Sequence, residues 1–230
     1  MTSRTRYETL VASLPYLPRV DRAERLPINR ERLEARLRML SERDAAGLER
    51  AVRLLQWRRE PAPPAAEQRA WQEALEDDGE PALHALLAFH RDVRTVLGAL
   101  RQRRRGLAPA ATPGGPPVAW GAGPWLRHIV QHWDDPDFRL GPVFPWIGAA
   151  RTHLASGAAP DLERLLCDLE WRLLERLAEP EPFGFAAVVA YRFKWGLLER
   201  LLAYDRGQGQ ARFEQLIEEG CGDALPNAGF

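Results

Sequence analysis

Lysine is nearly absent from this chain: Lys194 is the only one, and arginine supplies the rest of the 32 basic residues. A phosphate-cradling loop of the GxxxxGK[ST] kind needs a lysine behind glycines, and Lys194 instead follows Phe193 in a helical stretch. Serine is also scarce. Ser3, Ser13, Ser41 and Ser156 are the whole set, and none has the glycines two positions to either side that a GxSxG nucleophile turn requires. Neither a GxGxxG turn nor a GxSxG elbow occurs. The two cysteines, Cys167 and Cys221, build no disulfide framework, and Cys167 sits among leucines as a small core residue would. No apolar run approaches the ~20 residues that span a membrane, so direct membrane insertion is not expected. Residues 1–6 lead into no apolar stretch of the signal-peptide kind, and the expected location is the cytoplasm, with peripheral attachment at the inner membrane through a larger assembly left open. Net charge of one sign is missing too. With 32 acidic against 32 basic residues there is no general field to attract nucleic acid. The arginine bias accompanies abundant Ala, Gly and Pro, which is the mark of GC-rich coding and carries no functional weight.

What the chain does contain is helical pattern. Hydrophobic residues make up 45% and charged residues 28%, ordinary proportions for a globular protein. Residues 7–20, interrupted by Pro15 and Pro18, read as an extended lead-in or a short strand. Asn29 suits the cap of a helix carrying Leu33, Leu37 and Leu40, and Ser41 with Asp44 restarts a helix that repeats Ala45, Leu48, Val52 and Leu55. A short helix is expected around Trp71 and Leu75. Pro81 opens a long helix whose stripe is Leu83, Leu86, Leu87, His90, Val93, Leu97 and Leu100. Residues 106–124, rich in Ala, Pro and Gly, form the best linker or loop candidate. Short helices around Ile129 and from Pro145 to Ser156 precede an amphipathic helix from Asp161 to Leu177. A segment from Phe185 to Tyr204 is apolar on several faces, as a central helix is. A last helix carries Phe213, Leu216 and Ile217 and should end at Gly220. The expected fold is all-α, a multi-helix bundle with at most a short N-terminal strand. Its units are residues 1–105 and 125–230, joined by 106–124 and packed as one compact domain.

One pair of residues has metal-ligand spacing. His128 and His132 stand at i and i+4, followed by Asp134, Asp135 and Asp137, an arrangement that a metal-dependent enzyme could use. The glutamate of an HExxH motif is missing, its place being taken by Ile129. With Trp125, Ile129 and Trp133 on the apolar face, the two histidines read as an outward-facing surface pair. No metal, cofactor or catalytic residue is therefore expected. His90, inside its stripe, reads as a hydrogen-bonded core histidine. Arg101, Arg103, Arg104 and Arg105 complement the negative end of the long helix's dipole, and no aromatic platform for bases is interleaved with them. If they act, an acidic protein surface is the fitting target. Trp120, Trp125 and Trp146 serve equally well as interface anchors or as core.

The order of several segments resembles a bacterial family of uncharacterised proteins encoded beside V/A-type ATPase genes. That family is distantly similar to the C/d-type component of the V/A-type ATPase central stalk. The resemblance rests on Tyr7-Glu-Thr-Leu-Val-Ala-Ser-Leu-Pro15 and Phe89-His-Arg-Asp-Val-Arg-Thr-Val-Leu-Gly-Ala-Leu100. It continues in Asp137-Phe-Arg-Leu140, Asp168-Leu-Glu-Trp171, and Val189-Ala-Tyr-Arg-Phe-Lys-Trp-Gly-Leu-Leu-Glu-Arg200. In the C/d-type stalk proteins a similar helix carries Tyr-x-x-Lys-Glu-x-Glu; here Tyr191, Lys194 and Glu199 are kept, and Trp195 replaces the first glutamate. The resemblance implies a non-catalytic subunit of a proton- or sodium-translocating ATPase, built from helical units like those of the stalk proteins, that couples the soluble central stalk to the membrane rotor. An assembly chaperone for that complex is the alternative. Candidate partner contacts are Arg101, Arg103, Arg104 and Arg105, and on the penultimate helix Arg192, Lys194, Glu199 and Arg200.

Overall fold

The computed structural model describes residues 7–55, 64–76, 80–109 and 120–222. Among them are nine α-helices and one short 3-10 turn, with no strand, packed as a bundle. In chain order the helices are α1 (Glu8–Ser13), α2 (Arg30–Leu37), α3 (Glu42–Leu55), α4 (Pro64–Glu76), α5 (Pro81–Arg104), α6 (Leu126–Gln131), α7 (Ile147–Ser156), α8 (Ala159–Ala178) and α9 (Phe185–Gly222).

Local chemistry explains several of the helix ends. The Asn29 side chain accepts a hydrogen bond from the Arg32 amide at 3.0 Å, and Ser41 Oγ accepts one from the Asp44 amide at 3.2 Å. These satisfy amides that the first turns of α2 and α3 leave without an intrahelical acceptor. Pro81 occupies the first turn of α5, and Gly157 closes α7 in the left-handed conformation with φ 74°.

Two expectations are corrected. The lead-in contains helix α1 rather than a strand, and the chain becomes extended only at Leu14, where Pro15 disfavours helical backbone in the preceding residue. The helix is pinned by Tyr7, whose amide donates to the Phe183 carbonyl and whose hydroxyl donates to Asp44. At the other end, the two helices expected after Phe185 are one: α9 runs unbroken through Gly207 and Gly209 to Gly222. No proline falls within it, and a helical glycine costs only about 1 kcal/mol relative to alanine.

Helix α5, 24 residues long, is the hub, packing against α3, α4, α6, α7, α8 and α9. Its expected stripe is buried throughout, from Leu83 to Leu100. Two apolar clusters lie along it. The first joins α1–α5 to α8 and α9 through Leu10, Leu33, Leu48, Leu86, Trp171, Leu174, Val188 and Trp195. The second joins the later part of α5 to α6, α7 and α8 through Val96, Leu97, Ile129, Phe138, Leu140 and Ile147. Both clusters draw on residues before and after the 106–124 segment. The end of that segment is seated on α5: the Ala122 amide donates to Thr95 Oγ1 at 3.0 Å, and a Cβ on Gly98 would meet the Trp120 carbonyl oxygen at 2.0 Å. Trp146 is buried in the second cluster, and Trp120, Trp125 and Trp133 pack against it half-buried.

Candidate functional site

A cleft of about 550 Å³ opens where α2, α3, α5, α8 and α9 meet. Its apolar wall is Val52, Leu55, Phe193, Leu197 and Ala203; its polar members are Arg30, His90, Glu170, Arg192, Glu199 and Arg200. The deepest of these are His90 and Glu170, with side chains 9% and 8% exposed. His90 Nε2 lies 3.2 Å from Glu170 Oε1, close enough for an ionic contact, but off line for a hydrogen bond. The nitrogen therefore keeps unused hydrogen-bonding capacity in a buried place.

The arginines divide the carboxylates among themselves. Arg30 Nη2 donates to Glu199 Oε2 at 2.7 Å, and Arg200 Nε stands 3.1 Å from Glu163 Oε1. Arg200 also reaches the buried Cys167 Sγ at 3.3 Å. Burial pushes the Cys167 thiol above its ordinary pKa, with Arg200 opposing that shift. Arg192 is different. Among the described residues no hydrogen-bond or ion-pair partner meets it; its guanidinium faces the Trp195 ring at 5.5 Å, and Arg30 lies 5.7 Å from the same ring. Burial first, and Arg30 second, lower the Arg192 pKa below the usual arginine value, yet a guanidinium remains charged at neutral pH. Trp195, fully buried, holds this arrangement by donating its Nε1–H to the Ile28 carbonyl at 2.8 Å.

Three of the four polar residues singled out on the penultimate helix, Arg192, Glu199 and Arg200, thus meet in one cleft. Lys194 does not. It points to the other side of α9, 3.6 Å from Glu175 Oε1 and 4.8 Å from the centre of the Trp171 ring. Burial lowers its pKa against the pull of Glu175. Sequence reasoning missed Arg30 and Glu170. Glu170 left a signal, since it stands at helical spacing from Cys167 and Leu174, both buried. Arg30 left none.

At the end of α5, Arg101, Arg104 and Arg105 are exposed, but Arg103 is turned inward. It donates to the carbonyls of Trp133 at 3.2 Å and Pro136 at 2.6 Å, and to that of Asp135, and it lies 4.5 Å over the Phe138 ring. Burial, helped by Arg151, lowers its pKa. The turn that it clamps is unusual: Phe138 and Arg139 both have φ of 55°, a left-handed conformation that costs energy in non-glycine residues. The Asp137 carboxylate holds the turn by accepting from the amides of Arg139 at 3.0 Å and Gly141 at 3.1 Å. Arg103 is therefore bound to its own fold and differs from its three neighbours.

The histidine pair is not an outward-facing surface pair. His128 and His132 stand with ring centroids 4.5 Å apart, both half-buried, and His128 Nε2 is buried without a hydrogen-bond partner among the described residues. The tryptophans cause this, since Trp125 packs edge-on against His128 and is tied by its Nε1–H to Asp92 at 3.1 Å. Asp135, 3.5 Å from His132 Nδ1, is also paired with Arg139 at 2.9 Å. Among the described residues no group of three or more His, Cys, Asp or Glu side chains is placed to hold a metal ion. Nor is any described helix long and apolar enough to cross a membrane.

Comparison with models of protein families, with curated proteins and with solved structures finds no match to this chain.

Proposed function

We propose that this protein is a non-catalytic helical subunit of a V/A-type ATPase, linking the soluble central stalk to the membrane rotor. The observation that carries the reading is the placement of the segments on which the resemblance rests. Residues 89–100, 168–171 and 189–200 fall on α5, α8 and α9, which pack against one another. Residues 137–140 form the turn clamped by Arg103, and residues 7–15 include α1, which packs on α9. The resemblance therefore follows one packed framework rather than scattered surface pieces. A protein of this kind works through its surface. Arg101, Arg104 and Arg105, exposed at the negative end of α5, suit an acidic stalk or rotor loop, and charges of this sort act mainly on association rate and salt dependence.

The test is coexpression with the stalk and rotor subunits, followed by affinity purification at low and high salt. Copurification at low salt that weakens at high salt and on reversal of Arg101, Arg104 and Arg105 is expected. Recovery only with unassembled subunits, never with the intact complex, would make the protein an assembly chaperone. Absence of every one of these subunits from the purified material would reject the assignment.

A further inference from the structure

We propose that the cleft between α3, α5, α8 and α9 is a binding site for a small organic monocarboxylate with an apolar body. The site stands on the cleft's own chemistry and is independent of the ATPase assignment. The volume of about 550 Å³ is within the range of small-molecule sites, roughly 300–1,000 Å³. The lining is of two kinds, an apolar wall of Val52, Leu55, Phe193 and Leu197 and a set of charged groups. Two of the three arginines on the lining have a carboxylate in direct contact: Arg30 meets Glu199, and Arg200 meets Glu163 just outside the cleft. Arg192 is left over. It lines the cleft half-buried with no hydrogen-bond or ion-pair partner among the described residues, 5.5 Å from the centre of the Trp195 ring, and Glu199 and Glu34 act on it only through space. A guanidinium held in this way presents a fork of N–H donors that fits a carboxylate, and charge-assisted bonds of this type are the strong ones.

The same inventory selects the charge of the ligand. A single guanidinium without a direct partner suits one carboxylate. A phosphate monoester, which approaches two negative charges at neutral pH, would meet Glu170 and Glu199 on the same lining and be repelled. An alcohol of the same length would leave Arg192 as it is. At the deep end, the unused capacity of His90 Nε2 accommodates a polar group on the ligand body, though the carboxylate does not depend on it.

Isothermal titration calorimetry of the full chain with hexanoate, hexyl phosphate and 1-hexanol as probes tests this. Hexanoate is expected to bind one per chain, at least about tenfold tighter than either of the others. Arg192→Met should weaken hexanoate binding by about tenfold or more while Arg192→Lys retains part of it, and Arg104→Met, far from the cleft, should leave it unchanged. Circular dichroism of each variant establishes that the helices are intact. Equal binding of hexanoate and 1-hexanol, tighter binding of hexyl phosphate, undiminished hexanoate binding by folded Arg192→Met, or no binding of any probe would each overturn the proposal.

Discussion

Four arginines crowd the last turn of α5 and its cap, while Arg30, Arg192 and Arg200 come from α2 and α9 and line one cleft. In the sequence the first group is the conspicuous one, and nothing joins Arg30 to Arg192 and Arg200, since 169 residues separate it from its partner Glu199. In the folded chain the conspicuous group splits. Arg103 is spent on three carbonyls of a strained turn, and Arg101, Arg104 and Arg105 remain in solvent. The dispersed group becomes an organised site, with two members paired to carboxylates and one left available. Density of charge along a chain says little about function; what matters is which charges the fold leaves uncompensated and partly out of water.

The largest expected effect is on the dispersed group. Trp195→Ala removes the ring that both Arg30 and Arg192 face and the hydrogen bond to Ile28 from a fully buried position. It should cost about 3–5 kcal/mol in urea denaturation. A loss within the range of an ordinary surface change would mean that the cleft does not depend on this side chain.

The next effect separates the crowded group from within. Arg103→Glu breaks its bonds to the carbonyls of Trp133, Asp135 and Pro136 and should destabilise by about 1.5–3 kcal/mol, with the loss of near-ultraviolet ellipticity from the neighbouring aromatics. Equal stability of this variant and wild type would return Arg103 to the company of its exposed neighbours.

A pH effect follows on the α9 side. Burial holds the Tyr191 phenol at about 12 instead of the ordinary 10.0, and among the described residues its hydroxyl has no hydrogen-bond partner. The folded state keeps a proton that the unfolded chain releases, so this contribution is intact below pH 10.0 and is lost as the pH rises through about 12. The fall in denaturation midpoint across that interval should be smaller for Tyr191→Phe than for wild type, and near neutral pH the two should be similar. Parallel curves over the whole range would show that the phenol does not titrate with unfolding.

The smallest effect is on the exposed tail. Arg104→Glu and Arg105→Glu should each change stability by no more than about 0.5 kcal/mol. Their readout is the salt dependence of partner binding. A destabilisation matching that of Arg103→Glu would erase the distinction between the two kinds of arginine in this helix.

Much of the architecture was legible from residue pattern. The α5 stripe from Leu83 to Leu100, the caps at Asn29 and Ser41, the proline start at Pro81 and the glycine end at Gly157 are local chemistry, and each is where the pattern put it. The departures also have local causes. Residues 7–20 offer too short a window for periodicity, so α1 passes for extended chain. Gly207 and Gly209 pass for a break on composition, although no proline is there to enforce one. The orientation of His128 and His132 escapes a single-helix projection because Trp125 is fastened to Asp92 on another helix, a contact that such a projection does not contain.

The sequence by itself determined the class of the fold, because helical periodicity, capping and proline placement act over a few residues and need no knowledge of the rest of the chain. It also determined which familiar phosphate and nucleophile motifs are missing. Only the tertiary structure decided that Arg103 faces inward, that Glu170 meets His90, and that Arg30, Arg192 and Arg200 share a cleft in which, among the described residues, Arg192 alone lacks a partner. Those outcomes depend on which helix faces come together, over separations from 30 residues for Arg103 and Trp133 to 169 for Arg30 and Glu199, and pairing, burial and desolvation of a charge are properties of that meeting.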